Sequence, residues 1–94
     1  MLTWNVTYHC KPAQRTAFYE ALTHLGVREN SLGEEGNVKY DYYFDAQNPN
    51  DLLLVETWTE PSFQEAHCKT DVFAQLQALK VKFCTDVTID KFTY

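Results

Sequence analysis

The sequence predicts an α+β fold in the order βαββαβ, a split βαβ unit in which one antiparallel sheet carries two helices on one face. Three observations carry this. Leu2 to Cys10 alternates apolar and polar residues with the period of a strand. Phe18, Ala21, Leu22 and Leu25 recur with the period of a helix. Leu52 to Phe73 passes from a short apolar strand into a helix across a turn marked by Pro61.

In the first strand Leu2, Trp4, Val6 and Tyr8 share one face, and Thr3, Asn5, Thr7 and His9 the other. Lys11-Pro12 ends it, and a helix is expected from Pro12 to Leu25, closed by Gly26 as a C-cap. Val27 to Gly36 is polar and ends Gly33-Glu34-Glu35-Gly36, which reads as a loop or a short irregular helical turn. Asn37 to Asp45 is a second strand of β-favouring residues, with Val38, Tyr40, Tyr42 and Phe44 on one side. The run from Ala46 to Asp51 has the composition of a hairpin connection and leads into a third strand, Leu52 to Trp58.

Thr59 is the expected N-cap of the next helix, and Pro61 falls in its first turn, where a missing N–H costs nothing. Phe63, Ala66 and His67 follow at spacings of three and four, so they are expected to point towards the sheet together. Thr70-Asp71 breaks the helix and caps a second piece, along which Val72, Phe73, Leu76, Leu79 and Phe83 continue the buried stripe. Cys84 to Tyr94 is the last strand, with Val87 and Ile89 facing one way and Phe92 and Tyr94 the other. The usual order for this topology pairs the first and last strands, placing Cys10 near Cys84. Both read as reduced, buried thiols, because a bridge between adjacent strands is strained.

A chain of 94 residues makes one domain, residues 1–94, small enough that association would add to its stability. The uncovered sheet face carries Thr, Tyr and Phe side chains, a patch that a monomer rarely leaves in water, so a homodimer packed through that face is expected. The 8 basic residues are outnumbered by 13 acidic ones and scattered, which argues against nucleic acid as a partner. No apolar run approaches the ~20 residues of a membrane span, and Met1-Leu2-Thr3-Trp4 lacks the basic start of a secretory signal, so a cytoplasmic protein without membrane contact is expected. The three cysteines form no Cys-x-x-Cys pair, and His9-Cys10 and His67-Cys68 lack the spacing that presents two ligands to zinc. No metal site is expected.

Three segments together, LLLVETW, PSFQEAH with KTDVF, and EEGNVKYDYYFD, resemble the antibiotic biosynthesis monooxygenase family. The most specific features are Glu56-Thr57-Trp58 ending a strand with His67 about nine residues on, then Glu34-Glu35-Gly36 before a tyrosine-containing strand. The resemblance spans nearly the whole chain and implies a ferredoxin-like dimeric α+β barrel. It also implies one of several chemistries: cofactor-independent oxidation of quinols or polyketides, isomerisation of a phosphorylated signalling sugar of the autoinducer-2 type, or heme degradation. Members of the first two types often carry a second histidine in a Thr-Pro-His pattern, where this chain has Thr70-Asp71-Val72. The Asn, Trp and His of the heme-degrading branch do not map: His67 stands at the tryptophan position and Gln77 at the histidine position, so heme chemistry is not expected.

Oxygenation without flavin or metal needs a base to deprotonate an electron-rich phenol or enol, and an aromatic pocket that holds it beside O2. His67 is the candidate base, since histidine titrates nearest neutral pH. Glu56 is the candidate to orient that imidazole or accept a substrate proton. Trp4, Tyr40, Tyr42, Trp58 and Phe63 are the candidate pocket walls. Each has a plain alternative: a core histidine bonded to a backbone carbonyl, a strand carboxylate paired across the sheet, and ordinary aromatic core. The functional expectation is a cofactor-free monooxygenase acting on a small electron-rich aromatic with O2. Two alternatives stay open, an isomerase of a small carbonyl compound and a non-catalytic binding domain.

Overall fold

In the computed structural model, which describes residues 1–94, the chain runs β1 (Leu2–Cys10), α1 (Arg15–Leu25), α2 (Val27–Leu32), β2 (Asn37–Phe44), β3 (Asp51–Trp58), α3 (Pro61–His67), α4 (Asp71–Phe83) and β4 (Cys84–Thr93). The strands form one antiparallel sheet in the order β2-β3-β1-β4. Val6, near the centre of β1, lies opposite Leu54 of β3 on one side and Ile89 of β4 on the other. Because side chains alternate along a strand, this register puts Trp4, Val6 and Tyr8 on one face with Leu54, Glu56 and Trp58 of β3, Tyr40 and Tyr42 of β2, and Val87 of β4. This is the face the helices cover.

The core lies between the two layers. Phe18 and Leu22 of α1, Val27 of α2 and Leu76 of α4 pack on Val6, Tyr8, Tyr40, Leu52 and Leu54. Each fully buried side chain of this size contributes roughly 1.5–3 kcal/mol through removal of apolar surface from water. Tyr8 and Phe18 meet edge to face, with ring centroids 5.2 Å apart, and tie β1 to α1.

The helical layer has four segments: the break at Thr70-Asp71 falls where the sequence predicts it, and the stretch after Gly26 is the short helix rather than the loop, while several boundaries differ from the sequence reading for local reasons. The first helix starts at Arg15, not Pro12, because Ala13 takes a left-handed conformation (φ 65°) that the helix cannot include. Gly26, at φ 77°, ends α1 and begins α2, so Val27–Leu32 forms a helix, held in part by Ser31 Oγ donating to the Val27 carbonyl at 2.7 Å. Glu60, not Thr59, stands at the N-cap of α3. The Thr59 amide instead donates to the Gly36 carbonyl at 2.8 Å, and Pro61 opens the helix as expected. Within α3 the buried pair is Gln64 and His67; Ala66 is exposed.

Cys10 and Cys84 are paired across β1 and β4 beside a register shift, and both are free thiols. Burial pushes both thiols up, that of Cys84 to about 12. The opposite sheet face is uncovered. It presents Thr3, Leu53, Val55, Tyr43 and Phe92, with Tyr43 and Phe92 exposed. On the same face His9 bonds Asp51 Oδ1 through Nδ1 at 2.8 Å and Thr88 Oγ1 through Nε2 at 2.7 Å. No helix is long and apolar enough to cross a membrane.

Candidate active site

The site is built where α3 turns into α4 above β2 and β3. The Thr70 hydroxyl donates to the His67 carbonyl at 2.9 Å, and its oxygen also accepts from the Phe73 amide at 3.2 Å, so a single residue ends one helix and caps the next. This corner sets Phe73 against His67, with ring centroids 5.3 Å apart. Trp58 and Tyr40 approach the same imidazole at 5.1 and 5.6 Å. The ring is enclosed by three aromatics and is only 2% exposed.

One polar partner reaches it. Glu34, just beyond the end of α2, brings both carboxylate oxygens to His67 Nδ1, at 3.0 and 2.9 Å. An ionised carboxylate can only accept, so Nδ1 is the donor in this pair, and in the neutral form of the ring the lone pair then lies on Nε2. Nε2 is buried and has no hydrogen-bond partner. A buried polar atom left unpaired costs about 1–3 kcal/mol, so a side chain held this way is poised for a ligand hydroxyl.

Gly36 places Glu34. Its φ of 80° is in the left-handed region, and a Cβ there would lie 2.1 Å from Phe63 Cδ2, so only glycine lets α3 come this close to the loop. The close approach carries His67 to Glu34.

His67 lines a cavity of about 70 Å³ between the sheet and the α3–α4 corner. Trp4, Val6, Tyr40, Phe73, Leu76 and Val87 supply apolar wall, while Glu56, Gln64, His67 and Lys80 supply polar groups. Glu56 is 5% exposed, and its Oε1 accepts from Trp58 Nε1 at 2.8 Å. Burial pushes its carboxyl up, opposed by the Trp58 donation and the nearby imidazole. Burial likewise raises the hydroxyls of Tyr8 and Tyr40, which therefore stay protonated as neutral donors.

Of the residues singled out in the sequence, the structure brings Trp4, Tyr40, Glu56 and His67 to this cavity and leaves three outside. Trp58 is fully buried, against the His67 ring and bonded to Glu56. Tyr42 packs edge to face on Tyr40 and Tyr19, with centroids 5.9 Å away in each case. Phe63 packs on Gly36. The carboxylate on His67 is Glu34, whereas Glu56 is bonded to Trp58. Glu34, Tyr8, Gln64, Phe73 and Lys80 were not singled out as site residues. Only Glu34 carried a signal, through the Glu-Glu-Gly segment. No three histidine, cysteine, aspartate or glutamate side chains converge as metal ligands would.

Residues 1–79 match the family model described as antibiotic biosynthesis monooxygenase. A search among curated proteins finds no match. Among solved structures, a Nitrosomonas europaea protein named as a candidate antibiotic biosynthesis monooxygenase superposes with a TM-score of 0.89 at 21% identity, covering 100% of this chain and 98% of that one. A conserved protein of unknown function from Bacteroides thetaiotaomicron, described as a possible oxidoreductase, gives 0.86 at 27% identity over 99% and 96% of the two chains. A further candidate antibiotic biosynthesis monooxygenase, from Deinococcus radiodurans, gives 0.82 at 21% identity over 100% and 92%.

Proposed function

The chain belongs to the antibiotic biosynthesis monooxygenase family, and from that premise we propose that it oxidises a small electron-rich aromatic, a quinol or polyketide-like phenol, with O2 and without a bound cofactor. The single observation that carries this reading is the His67–Glu34 pair on an aromatic-walled cavity, with Nε2 buried and unpartnered. His67 acts as general base: Nε2 takes the proton of the phenol or enol while Glu34 stabilises the imidazolium that forms. The anion left behind is electron-rich enough to pass an electron to O2 directly. For a methylene between aromatic rings the balance closes without a reductant, because two hydrogens leave, one oxygen atom becomes a carbonyl and the other departs as water.

Glu56 serves the same reaction as a buried acid that can return a proton to reduced oxygen. Trp4 and Tyr40 hold the ring, and Trp58, Tyr42 and Phe63 support those groups from behind. The enclosed volume of about 70 Å³ is smaller than the ~150 Å³ void that takes up benzene, so a bound ring extends into the mouth of the cavity or displaces side chains there.

We place the protein in the cytosol as a homodimer joined through the uncovered face, where Tyr43 and Phe92 are exposed. Sedimentation should give twice the chain mass, and Phe92→Asp should shift it towards the monomer. Oxygen uptake tests the reaction: consumption in step with loss of a hydroquinone or an anthrone-like phenol is the expected result. Turnover undiminished under argon would assign an isomerase instead, and saturable binding without turnover in either gas a binding domain.

A further inference from the structure

Lys80 is the one cationic side chain on the cavity. It also borders an open depression formed with Gln77, Val81, Cys84, Thr85 and Asp86, so it stands where the enclosed space meets solvent. The three ion pairs of the chain are His9–Asp51, Arg28–Asp41 and His67–Glu34, and Lys80 takes part in none. Its Nζ lies 5.9 Å from the centroid of Phe73, the ring that also faces His67. Burial pulls its pKa below the ordinary lysine value. Glu56, on the same cavity, is within electrostatic reach of Lys80, but its carboxyl is bonded to Trp58 and forms no ion pair with the ammonium, so a ligand anion beside Lys80 would offset the cost of its partial burial.

We infer that Lys80 is a substrate-binding residue and that the cavity takes an aromatic carrying an anionic oxygen at the edge remote from the hydroxyl that meets His67. This rests on the proposed base role of His67 and narrows the substrate class. The two nitrogens divide the work. His67 Nε2, at the closed end, receives the reacting hydroxyl, while Lys80 at the mouth holds the charged edge and fixes the orientation of the ring. The cavity is too small to enclose a whole ring, so a substituent at the mouth is where a bound aromatic projects. The anionic oxygen is a carboxylate or a phenolate, which present the same charge to an ammonium.

Binding measured under argon separates this inference from turnover. The probes are 2,5-dihydroxybenzoate, its neutral counterpart 2,5-dihydroxybenzyl alcohol, and nitrohydroquinone, whose acidic phenol lies para to its second hydroxyl, titrated by calorimetry into wild type, Lys80→Met and Lys80→Arg. The benzoate should bind at least tenfold tighter than the alcohol to wild type and Lys80→Arg, and within about twofold of it to Lys80→Met, which keeps the length of the side chain and loses the charge. Preference for the benzoate alone makes the recognised oxygen a carboxylate; a preference shared by the nitrohydroquinone extends it to phenolates. Equal binding of acid and alcohol by wild type, or a charge preference that survives in Lys80→Met, overturns the inference. Anion-selective binding by a protein that consumes no oxygen would overturn the oxygenase reading and leave the Lys80 assignment standing.

Discussion

Glu34 and His67 stand 33 residues apart in the chain and meet through both carboxylate oxygens and Nδ1, at 3.0 and 2.9 Å. This contact decides which nitrogen of the imidazole is free. Glu34→Gln removes the charge, and its amide can present either a donor or an acceptor to Nδ1, so the tautomer is no longer fixed. Oxygen-dependent turnover should fall by roughly ten- to a hundredfold in kcat with KM little changed, a loss at or below the lower end of the roughly 10²–10⁴-fold that a positioned base supplies, because the base itself is kept. Steady-state oxygen-electrode kinetics check this; an unchanged kcat would remove Glu34 from the mechanism.

Gly36→Ala should destabilise the protein by about 2–4 kcal/mol, combining the cost of a left-handed alanine with overpacking against Phe63. The added Cβ would lie 2.1 Å from Phe63 Cδ2. Gly33→Ala is the control. Its nearest neighbour would be the Asn30 carbonyl oxygen at 3.5 Å and its φ is −82°, so its effect should stay within about 1 kcal/mol. Urea midpoints separate the two, and equal midpoints would contradict the packing described here.

Glu56 gives a pH signature. Burial raises its carboxyl in the folded protein above the ordinary value of 4.5, so the folded state holds this proton longer than the unfolded chain does. The stability it contributes is therefore complete below 4.5 and is lost as pH rises from there through the folded-state value. Glu56→Gln retains an acceptor for Trp58 Nε1 and cannot ionise. It should raise stability at neutral pH by about 1 kcal/mol, flatten the pH slope just above the ordinary glutamate range and lower turnover. Thermal melts across pH test it, and a mutant that keeps the wild-type slope would show that another group titrates.

Much of the fold was legible because it rests on short-range patterns. Leu2, Trp4, Val6 and Tyr8 alternate, and that period alone set their common face, since a slip of one residue would have turned them all to solvent. Thr70 was legible as a cap for the same local reason. The errors in α3 have a physical origin. A seven-residue helix is too short for its pattern to separate partners at i+3 from those at i+4, and Gln64 took the buried place expected for Ala66 because its amide finds Cys68 Sγ at 3.2 Å. The site was legible in part. His67 stood out as an imidazole among apolar residues, and Glu56 and Trp58 as a pair two apart on one strand face. The partner of His67 was not. Glu34 lies in a polar loop and reaches the imidazole only through the left-handed turn at Gly36 and the packing of Phe63, and no local pattern encodes that meeting. Lys80 was hidden in the same way, one of two lysines on α4 until the tertiary fold set it at the mouth of the cavity.

The most direct test of the central claim compares oxygen uptake by metal-stripped wild type and His67→Ala against hydroquinones and anthrone-like phenols, with circular dichroism to establish that both are folded. The account predicts uptake by wild type that matches substrate loss and falls by roughly a hundredfold or more in His67→Ala. A folded His67→Ala that consumes oxygen at the wild-type rate would contradict it.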